Sequence, residues 1–212
     1  MPATPMSSSA LKELHDRKAD VISRRPSFAR AAGQACLHMA EGLACDIHHE
    51  DRMVRVDHPE AEGGTGTGPD PGQLMLASLA ASLASGYRVW AARRGLRIDS
   101  VDIEIACAYD LRGTMGMAAD VAVGWERVWF HVAIVSPEPE ATVRELVEQA
   151  DRLSPMLANL APSVARSHRL TVIVPRSAAP KGGTGRSPVG HALSVSERPH
   201  KRVNRTAKKE PS

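Results

Sequence analysis

The sequence predicts an α+β fold, and three observations carry that reading. Between positions 35 and 56, three short runs alternate in side-chain character with period two. A long helix of small residues then occupies the middle of the chain. Two more alternating runs follow it, then a second helix and a last strand. Helices kept apart from mostly antiparallel strands make this class rather than a parallel α/β sheet.

The elements are read in order. Residues 9–24 set Leu11, Leu14, Lys18 and Val21 at helical spacing behind the serines 7–9, which suit a cap. Pro26 ends that helix, because the residue before a proline avoids the α region. Residues 1–26 thus form an N-terminal helical arm. Next, Ala35, Leu37 and Met39 alternate with Cys36 and His38. Leu43, Cys45 and Ile47 alternate with Ala44, Asp46 and His48, and Met53, Val54 and Val56 follow the turn at Glu50-Asp51. These runs read as a three-stranded meander, and the long helix is expected to lie against it.

Residues 62–72, EGGTGTGPDPG, form a loop by composition and read as a flexible lead-in to the helix over 73–94. Asp70 suits the cap, Pro71 the first helical position and Gly95 the stop. Counted from Pro71 to Arg94 this helix is about 36 Å long. Its small residues fall four apart, as Ala77-Ala81-Ser85 and Ser78-Ser82-Gly86, so close packing on most sides is expected.

Val101, Ile103, Ile105, Cys107 and Tyr109 then alternate with Asp102, Glu104, Ala106 and Ala108, predicting a strand with one buried and one wet face. A turn, LRGTMGM, leads to a strand at 128–135. Pro137 and Pro139 introduce a helix with Val143, Leu146, Val147, Ala150 and Leu153 on one stripe. Ser154-Pro155 breaks it, and RLTVIV at 169–174 is the last strand. Residues 27–175 make up the folded domain. Residues 176–212 read as a disordered basic tail.

Composition narrows the functional classes. The 212 residues suit one domain with extensions, and 42% hydrophobic content allows one core. Aromatic residues are only 3%, which excludes a stacking platform for single-stranded nucleic acid. The net charge of +3 is uneven. Residues 176–212 hold nine basic residues against two acids, +7, while the rest holds 18 against 22, −4. A basic folded face for duplex DNA therefore loses its support. Nucleic-acid contact by the tail is disfavoured against a solubilising role.

Three cysteines without a CxxC pair do not make a secreted disulfide framework. The N-terminus lacks a charged region followed by an apolar run, so no signal peptide is read and a cytoplasmic location follows by default. The least polar stretch, 74–92, is rich in Ala and Ser and contains Arg88, which favours a buried helix over a membrane span.

The motifs that suggest chemistry are weak individually. GGTGTGPDPG has no Lys-Ser/Thr pair for a phosphate loop and no buried strand before it for a dinucleotide fingerprint. His48 and His49 are adjacent in a strand and point to opposite faces, so no metal site is expected there. His38 and His131 read as satisfied strand histidines. Ser78, Ser82 and Ser85 lack a GxSxG elbow. Cys36, Cys45 and Cys107 sit in strands without an activating partner and read as structural.

Several segments together resemble the OsmC/Ohr superfamily: GPDPGQLMLASLAASLASGYRVWAARRG, VDIEIACAYDLRGTMGM, GWERVWFHV and ADRLSPMLANL, within residues 10–174. The resemblance rests on the proline-opened small-residue helix, the D-x-R-G-x-x-G turn and the Ser-Pro break after the second helix. It implies an intertwined homodimer with antiparallel sheets packed on long central helices. It also implies thiol peroxidase chemistry in oxidative-stress defence, with one reactive and one resolving cysteine and a glutamate near the helix start. Here Ser82 and Ser154 match the cysteine positions and Gly72 matches the glutamate. Serine does not pass through sulfenic acid and disulfide, so the matched positions argue against that mechanism.

Two functional expectations follow. The first is a dimeric scaffold without peroxidase activity, with no cofactor or metal, which binds a small partly apolar molecule in a cleft beside Ser82 and Ser154. Met75, Tyr87, Trp90 and Met156 are its candidate lining. The alternative is an organic hydroperoxide peroxidase using a displaced cysteine, Cys107 or Cys45.

Overall fold

A computed structural model describes residues 5–175. The expectation for the tail at 176–212 lies outside the described residues. Helix α1 spans Ser8–Arg24, strands β1, β2 and β3 span Cys36–Met39, Cys45–His49 and Arg52–Val56, and helix α2 spans Pro71–Arg94. Strand β4 (Ser100–Ala108), the single-turn helix α3 (Leu111–Thr114), strand β5 (Arg127–Val135), helix α4 (Glu140–Arg152), the short α5 (Pro155–Ala158) and strand β6 (Ala165–Ile173) complete the fold.

The helix ends are set by the residues the sequence offers. Ser7 caps α1 by accepting the Ala10 N–H, and the chain leaves the helix at Arg25, before Pro26. Asp70 and Gln73 form a reciprocal capping box on α2, Pro71 occupies its first turn, and Gly95 closes it in the left-handed region at φ 69°. Arg93 and Arg94 place positive charge at its C-terminal end.

The strands form two separate three-stranded sheets. Strands β1, β2 and β3 pair antiparallel in chain order. In the second sheet β4 pairs antiparallel with β5, but β6 pairs parallel to β5, with Arg127 beside Ala165 and Val135 beside Ile173. The parallel pair needs a crossover, and α4 with α5 supplies it. Strand β6 also starts four residues earlier than the apolar run RLTVIV indicates.

The core lies between the second sheet and the helices. Val128, Phe130, Val132 and Ile134 of β5 face Leu79, Leu83, Tyr87 and Ala91 of α2 and Val143, Leu146, Val147 and Ala150 of α4. Each fully buried Leu or Val contributes about 1.5–3 kcal/mol by leaving water. The last member of the α4 stripe, Leu153, lies at the helix end and is exposed.

Several expectations are corrected. Helix α2 packs on α1, α4, α5 and β4, not on the front sheet. Its core-facing large residues share the 3.6-residue stripe that meets β5, and the front meander packs on no helix to a comparable extent among the described residues. Leu37, Met39, Met53 and Val54 of that meander are exposed. The small-residue rows are not covered either: Ala77, Ser78, Ala81 and Ser85 are exposed, and Ser82 and Gly86 are half-buried. Strand β4 is half-buried along its whole length instead of alternating, as an edge strand covered partly on both faces. The α1 stripe contains no buried residue, since α1 meets the body chiefly along α2.

The glycine-threonine loop is not a loose lead-in. The fully buried Asp57 gathers it, accepting the backbone N–H groups of His58, Thr65 and Thr67 and the hydroxyls of Thr65 and Thr67. A Cβ at Gly64 would stand 2.0 Å from the His58 carbonyl oxygen, so the close approach requires glycine. The D-x-R-G-x-x-G turn has a similar cause: a Cβ at Gly113 would lie 2.4 Å from the Ala122 carbonyl oxygen, and Gly116 sits at φ 66°.

Candidate functional site

Ser154 ends the α4 segment and starts α5. It is buried, and its Oγ accepts the Leu157 N–H at 3.3 Å, so its hydroxyl is engaged in capping. The short α5 packs on α2, which brings the Ser154 junction to the helix that carries Ser82. Ser82 makes no hydrogen bond through its side chain among the described residues. Gly72 lies exposed in the first turn of α2, where an added Cβ would come 3.1 Å from the capping Asp70 Oδ1.

The four expected lining residues do not converge. Met75 borders a cleft of about 330 Å³ with Trp125, Leu160 and Val164. Tyr87 borders a different cleft, of about 290 Å³. Trp90 packs at the core margin with the Arg93 guanidinium 4.6 Å above its ring, and Met156 packs against the core.

The cleft at Tyr87 contains an organised polar group. Tyr87 is fully buried and donates its hydroxyl to Asp151 Oδ1 at 2.7 Å. His168 Nδ1 lies 3.0 Å from the other oxygen, Asp151 Oδ2. Burial, then the charge and hydrogen bond of Asp151, push the Tyr87 phenol far above its ordinary range. The ring of Phe130 meets His168 edge-on at 6.1 Å between centroids. Leu83 and Leu157 supply apolar wall, and Arg152 and Arg166 supply positive charge. Of this group the sequence points to Tyr87 alone. Asp151 and His168 come from α4 and β6, and Asp151 lies 64 residues after Tyr87, so no local pattern announces the group.

The cysteines are scattered. Cys36 is exposed on β1, Cys45 is buried on β2 and Cys107 is half-buried on β4. Burial, then the nearby Asp70 charge, raises the Cys107 thiol above its usual range. That is the wrong direction for a reactive thiolate.

The histidines expected to be inert divide into two groups. His38, His48 and His49 are exposed on the front sheet. His131 is buried, and its Nε2 lies 3.2 Å from Thr171 Oγ1, but its Nδ1 has no partner, so it is only half satisfied. Glu104 faces it across the β4–β5 pair and also buries an unpartnered oxygen, Oε2. Among the described residues no group of three or more His, Cys, Asp or Glu is arranged to hold a metal ion, and no helix is long and apolar enough to cross a membrane.

The architecture has close counterparts among solved structures. An OsmC-like protein from Mycoplasma pneumoniae superposes with a TM-score of 0.60 at 16% identity, covering 68% of this chain and 98% of its own. An organic hydroperoxide resistance protein OsmC from Legionella pneumophila gives 0.51 at 20% identity, covering 68% and 100%. A hypothetical protein from Aquifex aeolicus gives 0.56 at 11% identity, covering 69% and 100%. The family model described as OsmC-like protein matches residues 64–168, from the Asp57 loop to β6. The chain has the OsmC-like fold. A search of curated proteins finds no match. The part of the OsmC-like fold that the family model matches contains the Tyr87–Asp151–His168 group, both serines and one cysteine, Cys107.

Proposed function

We propose that this protein is a member of the OsmC/Ohr superfamily that has left thiol peroxidase chemistry and serves as a dimeric scaffold binding a small, partly apolar ligand. The observation that carries this reading is the absence of any cysteine from α2 and from the α4–α5 junction, where serines stand at 82 and 154. A serine hydroxyl does not ionise near neutral pH and does not cycle through sulfenic acid. Ser154 is moreover occupied as a helix cap.

The dimer accounts for surface that one subunit leaves open. Leu37, Met39, Met53 and Val54 on the front sheet, and the small-residue face of α2, are apolar or close-packing surfaces facing water. A second copy would cover both.

The displaced-cysteine alternative is weaker. Cys45 is buried, and Cys107 has its thiol raised and not lowered. A gain-of-function variant tests the positional assignment. S82C/S154C, oxidised with an organic hydroperoxide, is expected to form an intramolecular disulfide and to turn over with a dithiol. A double variant that stays reduced and inactive would remove the basis for matching these serines to the family cysteines.

A further inference from the structure

The cleft between α2, α4, α5 and β6 carries more positive charge than its packing uses. Asp151 is engaged on both oxygens, by the Tyr87 hydroxyl and by His168. Arg152 and Arg166 border the same cleft. Among the described residues neither forms an ion pair with a carboxylate. Arg166 gives one N–H to the Leu160 carbonyl at 3.2 Å and keeps its remaining donors. With Asp151 counted against them, the two guanidiniums leave the mouth positive.

The rest of the cleft is apolar. Leu83, Phe130 and Leu157 are each at most 9% exposed and form its wall. At about 290 Å³ it is roughly twice the engineered cavity of about 150 Å³ that holds benzene. Space of that size suits a ligand of about ten non-hydrogen atoms. An apolar floor with unpaired arginines at the rim matches a molecule with an apolar body and one anionic end. Arginine presents parallel N–H donors in the geometry of a carboxylate.

We propose that this cleft binds a small organic carboxylate, with its apolar body against Leu83, Phe130 and Leu157 and its anionic end held by Arg152 and Arg166. Tyr87 acts as a positioning residue. It fixes Asp151, which in turn holds His168 at the edge of the cleft. The proposal deepens the ligand-binding half of the proposed function and rests on it. It needs neither the dimer nor the absence of peroxidase activity.

Calorimetric titration of the full-length protein tests it, with 4-phenylbutyrate, its neutral counterpart 4-phenylbutan-1-ol, and acetate as a small-anion control. The carboxylate is expected to bind at least tenfold more tightly than the alcohol, and acetate not measurably. R152Q and R166Q are each expected to weaken 4-phenylbutyrate about tenfold, as loss of a charged hydrogen bond does. Both should leave the affinity for the alcohol unchanged, and R152Q, which removes no hydrogen bond within the described residues, should also leave the thermal midpoint unchanged. Equal affinity for acid and alcohol would overturn the anionic-end assignment while leaving an apolar ligand in place. Undiminished acid binding in R152Q and R166Q would move the anion elsewhere, to the basic tail for example, and overturn this site. Failure of both acid and alcohol to bind would overturn this site and the ligand-binding reading together.

Discussion

Thr65 gives Asp57 both its backbone N–H, at 3.0 Å, and its hydroxyl, at 2.6 Å, and both end on the same carboxylate oxygen, Oδ2. Thr67 repeats the pattern on that oxygen at 3.1 and 2.9 Å. One buried carboxylate therefore organises the loop that delivers the chain into α2. The Thr65 hydroxyl above all, then the other donors, hold its carboxyl far below the usual carboxylate range.

The sign of the pH effect follows from that direction. A carboxyl whose folded pKa is depressed contributes stability above its unfolded pKa, near 3.9, and loses it as pH falls toward the folded value. Thermal melts followed by circular dichroism should show the wild type losing stability steeply below about pH 4. D57N should melt several degrees lower at pH 7, because an amide nitrogen would face donors, and should show a shallower acid dependence. Parallel profiles for the two proteins would remove Asp57 from this role.

Tyr87 links α2 to α4 through Asp151. Replacing it with phenylalanine keeps the buried ring and deletes one hydrogen bond to a carboxylate. Urea unfolding of Y87F should show a loss of about 1.5 kcal/mol, the low end for a bond to a charged group, because Asp151 keeps His168. An unchanged midpoint would mean that the bond contributes nothing net.

Thiol reactivity should follow exposure and not number. With a chromogenic disulfide at pH 8, Cys36 is expected to react at once, while Cys45 and Cys107 wait for unfolding. Modification of Cys107 as fast as Cys36, read by comparing C36S with C107S, would contradict the burial-raised thiol described above.

Much of this architecture was legible in the sequence because its punctuation is local. Ser7, Pro26, Asp70, Pro71 and Gly95 each act within a few residues, and the structure uses all of them as helix ends. The direction of β6 was not legible, because period-two alternation is the same in parallel and antiparallel pairs. The Asp57 loop was misread as flexible because glycine and threonine dominate it. The usable signal was the spacing of Thr65 and Thr67, two apart, behind an acid that directly follows a strand. The placement of α2 was misjudged because chain order made the front meander its nearest neighbour, whereas its large residues match β5 and α4.

The site shows the same division. Motif order points to Ser82, Ser154 and Gly72, and a place on α2 points to Tyr87; of these, only Tyr87 borders the cleft described above. Asp151, His168, Arg152 and Arg166 were not found. They come together only when the α4–α5 crossover sets β6 beside β5, a pairing that no short window of sequence expresses.

The central claim, an OsmC-like scaffold without thiol peroxidase chemistry, is tested most directly by one rate comparison. Purified protein is mixed with an organic hydroperoxide and a dithiol, and peroxide loss is followed beside the C36S/C45S/C107S variant. The account predicts the same slow rate for both, equal to that of the dithiol alone. Faster, saturable consumption by the wild type that disappears in C107S would contradict it.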